Sequence, residues 1–252
     1  MISYKKISII TVTKNSQKTI ETAIKSFIKQ NYKNKELILI DGKSSDKTIS
    51  IINKYKNKIS KFITEKDKGI YDALNKGFKN SKGDIIGILH SDDKYNNEKV
   101  LSKIMRVFND KDVSLIHTNV DIKYKKFKRR FISKKQFRNE DFSKGLMPPH
   151  TGIFFKRKIL GQIGYFNLKF KYTADLDFII RCFKRKKIKK KFYNIKSVNM
   201  LSGGRSTKSF VNIIEQNIEW LKILNKNKIK YNIITFLFYK FINRLSQIIW
   251  NI

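Results

Sequence analysis

Along the first 120 residues, apolar positions recur with two alternating periods. Ile7-Ser8-Ile9-Ile10-Thr11-Val12 is rich in β-branched residues and predicts a buried strand. After Asn15-Ser16, read as an N-cap, Ile20, Ala23, Ile24, Phe27 and Ile28 fall at helical spacing. Leu37 to Ile40 predicts a second strand, followed by a helix through Ile51, Ile52 and Tyr55. A weaker strand near Phe62-Ile63 leads to a helix from about Ile70 to Phe78. Asp84 to Leu89 is the next strand, Val100, Ile104 and Val107 mark the next helix, and Ser114 to His117 begins another strand. The stretch from Lys123 to Asp141 is basic and irregular and reads as an excursion. The pattern resumes with a short strand from Gly152 to Phe155, a helix from about Asp175 to Arg185, and short strands near Phe192 and Val198. A helix from about Phe210 to Leu224 and a helical tail close the chain.

Alternation of strands and helices at this spacing predicts an α/β fold with a mostly parallel sheet covered on both faces. Ligands of such sheets bind outside the carboxyl ends of the strands. Three predicted strands end there in acid: Asp41 after the second, Glu65 and Asp67 after the weak one, Ser91-Asp92-Asp93 after the strand ending at Leu89. In a chain with 56 Lys+Arg and only 20 Asp+Glu, that placement suits a metal ion and the polar groups of a nucleotide. Gly42-Lys43-Ser44 resembles the end of a phosphate loop, but Leu37 stands where the first glycine is required. No G-x-G-x-x-G follows the first strand, so a dinucleotide-binding domain is not predicted either.

Several short motifs carry a further signal in their order and spacing. They run from Ile9-Ile10-Thr11-Val12-Thr13-Lys14-Asn15 through Ile40-Asp41-Gly42-Lys43-Ser44-Ser45-Asp46-Lys47-Thr48. Next come Glu65-Lys66-Asp67-Lys68-Gly69-Ile70-Tyr71-Asp72-Ala73, Asn75-Lys76-Gly77, and Gly83-Asp84 with Ser91-Asp92-Asp93. His150-Thr151-Gly152, Ala174-Asp175-Leu176-Asp177 and Gly203-Gly204-Arg205-Ser206 complete the set, which in order and spacing resembles that of family 2 (GT-A type) inverting glycosyltransferases. The resemblance implies a Rossmann-like GT-A domain over residues 1–206 and a helical extension over 207–252. It implies transfer of a sugar from a nucleoside diphosphate sugar to a hydroxyl of a glycan or lipid-linked acceptor, with inversion, in cell-surface polysaccharide assembly.

The same resemblance assigns roles. Thr11, Asn15, Asp41, Asp67, Lys68, Asp92, His150, Gly203, Gly204 and Arg205 would line the nucleotide-sugar cleft, with Asp41 accepting a hydrogen bond from the base. Asp93, with Asp92 beside it, matches the motif for Mg²⁺ or Mn²⁺, a hard cation bridging carboxylate and diphosphate. Asp175 matches the general base that takes the acceptor's proton. It follows Ala174 where many members carry Glu, and Asp177 on the opposite flank of the helix's apolar stripe is its rival. Gly42 stands where relatives often have a second acid.

The formal charge of +36 raises a nucleic-acid reading, yet no recognition-helix or RNA-binding motif appears and the lysines are spread along the chain. A sugar nucleotidyltransferase would need a glycine- and Arg-rich N-terminal loop that is missing. Between about Tyr231 and Trp250, Ile234, Leu237, Phe238, Phe241, Leu245, Ile248 and Ile249 form one helical face opposite Thr235, Tyr239, Lys240, Asn243 and Arg244. Lys240 and Arg244 interrupt the apolar run too early for a span. The pattern instead predicts a helix lying on an anionic membrane surface, or packing by its apolar face on the catalytic domain or a second subunit. A lone Cys182 and no signal-peptide pattern lead to the expectation of a cytoplasmic enzyme, peripheral on the membrane.

Overall fold

A computed structural model describes residues 5–123, 128–131, 137–201 and 210–249. Its elements follow the predicted alternation. They are β1 (Ile7–Thr13), α1 (Ile20–Ile28), β2 (Lys35–Asp41), α2 (Thr48–Asn53), β3 (Lys61–Thr64), α3 (Ile70–Asn80), β4 (Ile85–Ile88), β5 (Lys94–Tyr95) and α4 (Val100–Val107). The second half holds β6 (Leu115–Lys123), β7 (Lys128–Phe131), α5 (Asn139–Ser143), β8 (Ile153–Lys156), α6 (Leu160–Ile163), α7 (Ala174–Lys184), β9 (Lys190–Leu201), α8 (Phe210–Lys226) and α9 (Ile233–Ile249).

The strands form one sheet in the order β3-β2-β1-β4-β8-β6-β9-β5, with β7 beside β6. The half from β3 to β4 is wholly parallel. Antiparallel β8 then joins β4 to β6, and β9 runs parallel to β6, so the far half is mixed. All seven residues of β1 are buried, which only a sheet covered on both faces allows. Its side chains divide by alternation. Ile10 and Val12 join Ile38, Ile40, Ile86 and Ile88 in a core under α3 and α7. Ile7 and Ile9 join Leu37, Leu39 and Ile85 under α1 and α4. Each such side chain is worth roughly 1.5–3 kcal/mol of burial, so the sheet's frame is set by these runs.

Three local expectations are corrected. Asn15-Ser16 does not cap α1; the helix starts at Ile20 after Thr19, and Asn15 adopts a left-handed φ of 51° in the preceding loop. The stretch from Lys123 to Asp141 carries β7 and α5 rather than only irregular chain. The strands near Phe192 and Val198 are one strand, whose pattern is broken by register shifts against β6 between His117 and Val120.

Candidate active site

The carboxyl ends of β1, β2 and β4 lie side by side, and polar side chains knit their loops together. Backbone N–H of Asn15 donates to Ser44 Oγ at 2.8 Å, and Asn15 Oδ1 accepts from the N–H of Ser45 at 2.9 Å. Ser16 N–H donates to Thr48 Oγ1 at 2.7 Å, while Ser16 Oγ lies 3.0 Å from Ser91 Oγ. The loops after β1, β2 and β4 thus hold one shared rim, with Asp92 exposed on it and Asp93 tucked under at 2 % exposure. Desolvation raises the Asp92 pKa although the residue stands at the rim.

Asp41 lies beneath the loop after β2. It is fully buried, its carboxylate accepts from Ser44 N–H at 2.9 Å and Thr64 Oγ1 at 2.7 Å, and it also binds Ser44 Oγ. Those three bonds shape the loop after β2. Thr11 is 1 % exposed in the body of β1. The neighbouring Asp67 takes the open position. Its Oδ1 accepts from Gly69 N–H at 2.9 Å, and its Oδ2 lies 2.2 Å from where a Cβ on Gly42 would stand. The absent side chain at Gly42 leaves room for the Asp67 carboxylate. Lys68 is exposed beside it.

A second cluster joins β4, β8, α3 and α7. The 3₁₀ turn His150–Gly152 leads into β8, and antiparallel pairing brings that turn beside the carboxyl end of β4. His150 Nδ1 lies 3.0 Å from Asp175 Oδ2, and His150 Nε2 lies 2.6 Å from His90 Nε2. Asp175 Oδ1 accepts from Tyr71 OH at 3.0 Å and Leu176 N–H at 2.9 Å. Burial and the nearby Asp175 charge push the Tyr71 phenol well above its ordinary pKa, which keeps it a donor. Burial, then the proximity of His150, push His90 down to about 3, so it is neutral at ordinary pH. With Asp175 accepting, His150 donates from Nδ1, and its Nε2 pairs with that of His90. Donors from α3, α7 and the turn before β8 therefore converge on Asp175, second residue of α7, where the helix N-terminus favours negative charge.

The rival carboxylate is committed elsewhere. Asp177 has no exposed surface, and its two oxygens pair with Arg181 Nε and Lys226 Nζ, each at 2.8 Å. Glu219 of α8 accepts from the N–H groups of Lys171, Tyr172 and Thr173 at 2.8–3.0 Å and so orders the turn that enters α7. Gly203, Gly204 and Arg205 lie outside the described residues. Tyr71, His90 and Glu219 were not singled out from sequence; Tyr71 sits within the Gly69–Ala73 motif, but the partners of all three are distant in the chain.

For the implied divalent metal, the donor set is carboxylate. Among the described residues no three His, Cys, Asp or Glu side chains converge on one point. Asp93 with Asp92 fits a hard cation that completes its shell with water and substrate oxygens.

The glycosyl transferase family 2 profile matches residues 8–168. The chain belongs to that family. It is thus a glycosyltransferase, and every placed motif above falls within or just beyond the matched region. A PGL/p-HBAD biosynthesis glycosyltransferase of Mycobacterium tuberculosis is 29% identical over 180 residues, covering 70% of this chain and 69% of that protein. An uncharacterized glycosyltransferase of Rickettsia typhi is 32% identical over 180 residues, covering 68% of this chain and 56% of that protein. The fold is also that of S. aureus TarS 1–349, with a TM-score of 0.68, 19% identity, and coverage of 90% of this chain and 66% of that one. This family 2 glycosyltransferase spans 40% of the longer TarS chain. Mannosyltransferase PcManGT from Pyrobaculum calidifontis, solved with GDP-Man and Mn2+, gives a TM-score of 0.63 at 16% identity, covering 92% of this chain and 66% of that one.

Proposed function

We propose that the enzyme transfers a sugar from a nucleoside diphosphate sugar to a hydroxyl of a glycan or lipid-linked acceptor with inversion, for cell-surface polysaccharide. The observation that carries this reading is the Asp175 carboxylate, fixed by Tyr71, Leu176 N–H and His150 at the carboxyl ends of the strands. In a single displacement the acceptor oxygen bonds to the anomeric carbon as the bond to the diphosphate breaks. Asp175 Oδ2, which keeps a free lone pair beside His150 Nδ1, takes the acceptor's proton. Asp67, Lys68 and the rim at Asn15 bind the donor; His150 acts through Asp175. Asp93 and Asp92 would hold Mg²⁺ or Mn²⁺, which supplies neutralisation of charge on the departing diphosphate. Donors solved with the structural neighbours include UDP-GlcNAc and GDP-Man, which supports the donor class without choosing the base. Thermal-shift screening against UDP, GDP and dTDP sugars with Mn²⁺ tests the donor, and the anomeric coupling constant of the product tests inversion. A retained anomeric configuration would overturn the single displacement.

Two variants probe the cleft. Asp93→Asn should remove the metal-dependent part of nucleoside diphosphate binding in calorimetry; equal affinity of parent and variant, with and without EDTA, rules out the assignment. Gly42→Ala must displace the Asp67 carboxylate, 2.2 Å from the new Cβ. Donor affinity should fall about 3- to 10-fold, the loss of roughly one hydrogen bond, with the fold intact by circular dichroism. An unchanged Kd would remove Asp67 from the donor site.

The enzyme works, on this reading, as a peripheral protein on the cytoplasmic face of an anionic membrane, the two units being the catalytic domain over 1–206 and the extension over 207–252. Among the described residues no helix is long and apolar enough to cross a membrane. What supports surface contact is the orientation of α9. Fully buried Phe236 packs near Trp220, and the Lys240 ammonium sits 4.0 Å from the Trp220 ring centroid, so the side that reads as more polar faces the protein. Ile234 (75 % exposed), Leu237, Phe238 and Phe241 face outward. Exposed apolar faces of this kind mark interaction surfaces. Phe238→Ser with Phe241→Ser should abolish flotation with anionic vesicles while leaving the melting temperature unchanged; persistent flotation would remove α9 from the contact.

A further inference from the structure

A strongly basic cleft lies at the opposite pole of the sheet. The catalytic loops follow the carboxyl ends of β1 and β4, whereas Lys5 and Asp84 precede their amino ends, and Lys156 to Lys158 leave antiparallel β8 at that same pole. There a cleft of about 420 Å³ is lined by Lys5, Asp84, Lys111, Lys156, Arg157 and Lys158. Its carboxylate, Asp84, already accepts the Lys6 N–H at 2.8 Å. Among the described residues none of the five cations is in an ion pair. Three are instead held by backbone carbonyls: Lys5 Nζ on Phe108 O at 2.5 Å, Lys156 Nζ on Lys111 O at 2.6 Å, and Arg157 Nε on Gly83 O at 3.0 Å. Those three heads are fixed by neutral acceptors, which do not cancel their charge. Burial lowers the Lys156 pKa, the charges of Lys158 and Lys5 lower it further, and Asp110 and Asp112 act the other way. Crowded like charge of this kind is relieved by an anion.

The lining also limits what the anion can be. Ile85 is the apolar residue of the wall and no aromatic ring lines it among the described residues, so a nucleobase finds no ring there to stack on. Ammonium and guanidinium donors gathered along one cleft match the oxygens of a phosphate group. We propose that this cleft is a phosphate-binding site, separate from the donor's diphosphate site and resting on no assignment made there. The phosphate could arrive free in solution or on a lipid headgroup.

The test uses the full-length protein, ¹⁵N-labelled, titrated with inorganic phosphate at low ionic strength without divalent metal. Saturable amide shifts are expected at Ile85, Lys111 and Lys156 to Lys158. Lys158→Glu, at an exposed position, and the double change Lys156→Glu/Lys158→Glu should each weaken binding about tenfold or more, as expected for charged hydrogen bonds. The charge-matched control Lys54→Glu/Lys56→Glu should bind as the parent does, and near-UV circular dichroism checks that all variants are folded. Vesicles of phosphatidylcholine with and without phosphatidic acid form the second arm. Weaker flotation of Lys158→Glu than of a single-charge control, Lys54→Glu, assigns a lipid phosphate; equal flotation with saturable free-phosphate binding assigns the soluble ion. Shifts that are absent from the cleft, or an equal loss in the charge-matched control, overturn the proposal.

Discussion

Asp175→Asn should cut sugar transfer by roughly 10²- to 10⁴-fold, the usual contribution of a general base, and leave donor binding intact. The amide keeps the size of the carboxylate and can still accept from Tyr71 OH and Leu176 N–H, both at about the present 2.9–3.0 Å. What it loses is the basic oxygen beside His150. Donor affinity by calorimetry separates this from a collapse of the cleft. His150→Asn offers a finer measure, because an Asn amide can replace the imidazole Nδ1–H that meets Asp175 Oδ2 at 3.0 Å, whereas Leu cannot. Transfer should therefore be lowered less by Asn than by Leu, with donor KM similar in both. If Asp175→Asn transfers at the parent rate, the base lies elsewhere.

How far the chain could be read depended on whether an element's neighbours were local. β1, β2 and β4 announce themselves because a strand covered on both faces carries apolar residues at successive positions, as at Ile9-Ile10, Leu37 to Ile40 and Ile85-Ile86. Two-residue β5 and short β7 have no such run, and β9 loses its period where it shifts register against β6. The acids at the strand ends were legible, but their tasks were not. Asp41 reads like a ligand contact, and only the fold shows that Thr64, 23 residues away, and Ser44 bond to its carboxylate. His90 and His150 are 60 residues apart and share no metal-ligand spacing, so their contact exists only once β8 folds back on β4. For α9 the amphipathic pattern was visible. Which side packs was decided by Phe236, a residue that pattern did not single out.

The choice between the two carboxylates of α7 leads to an effect on the fold rather than on chemistry. Asp177→Asn should lower stability by about 2–4 kcal/mol, at or just below the ~3–5 kcal/mol seen when one partner of a buried ion pair is removed. Asp177 itself has no exposed surface, but Arg181 and Lys226 keep 21% and 47% of theirs and can turn to water when the charge is lost. The Asp177–Lys226 bridge ties α7 to the end of α8, and Arg181 also donates to the carbonyl of Tyr165 at 2.7 Å. Loosening it should therefore release the α7–α8 packing that sets Asp175 in place. For a domain of this size the melting temperature should drop by on the order of 10 °C. Measured well below that midpoint, kcat per folded enzyme should stay within a few-fold of the parent. An Asp177→Asn enzyme that melts like the parent yet fails to transfer would make Asp177 the proton acceptor, with Asp175 the structural partner.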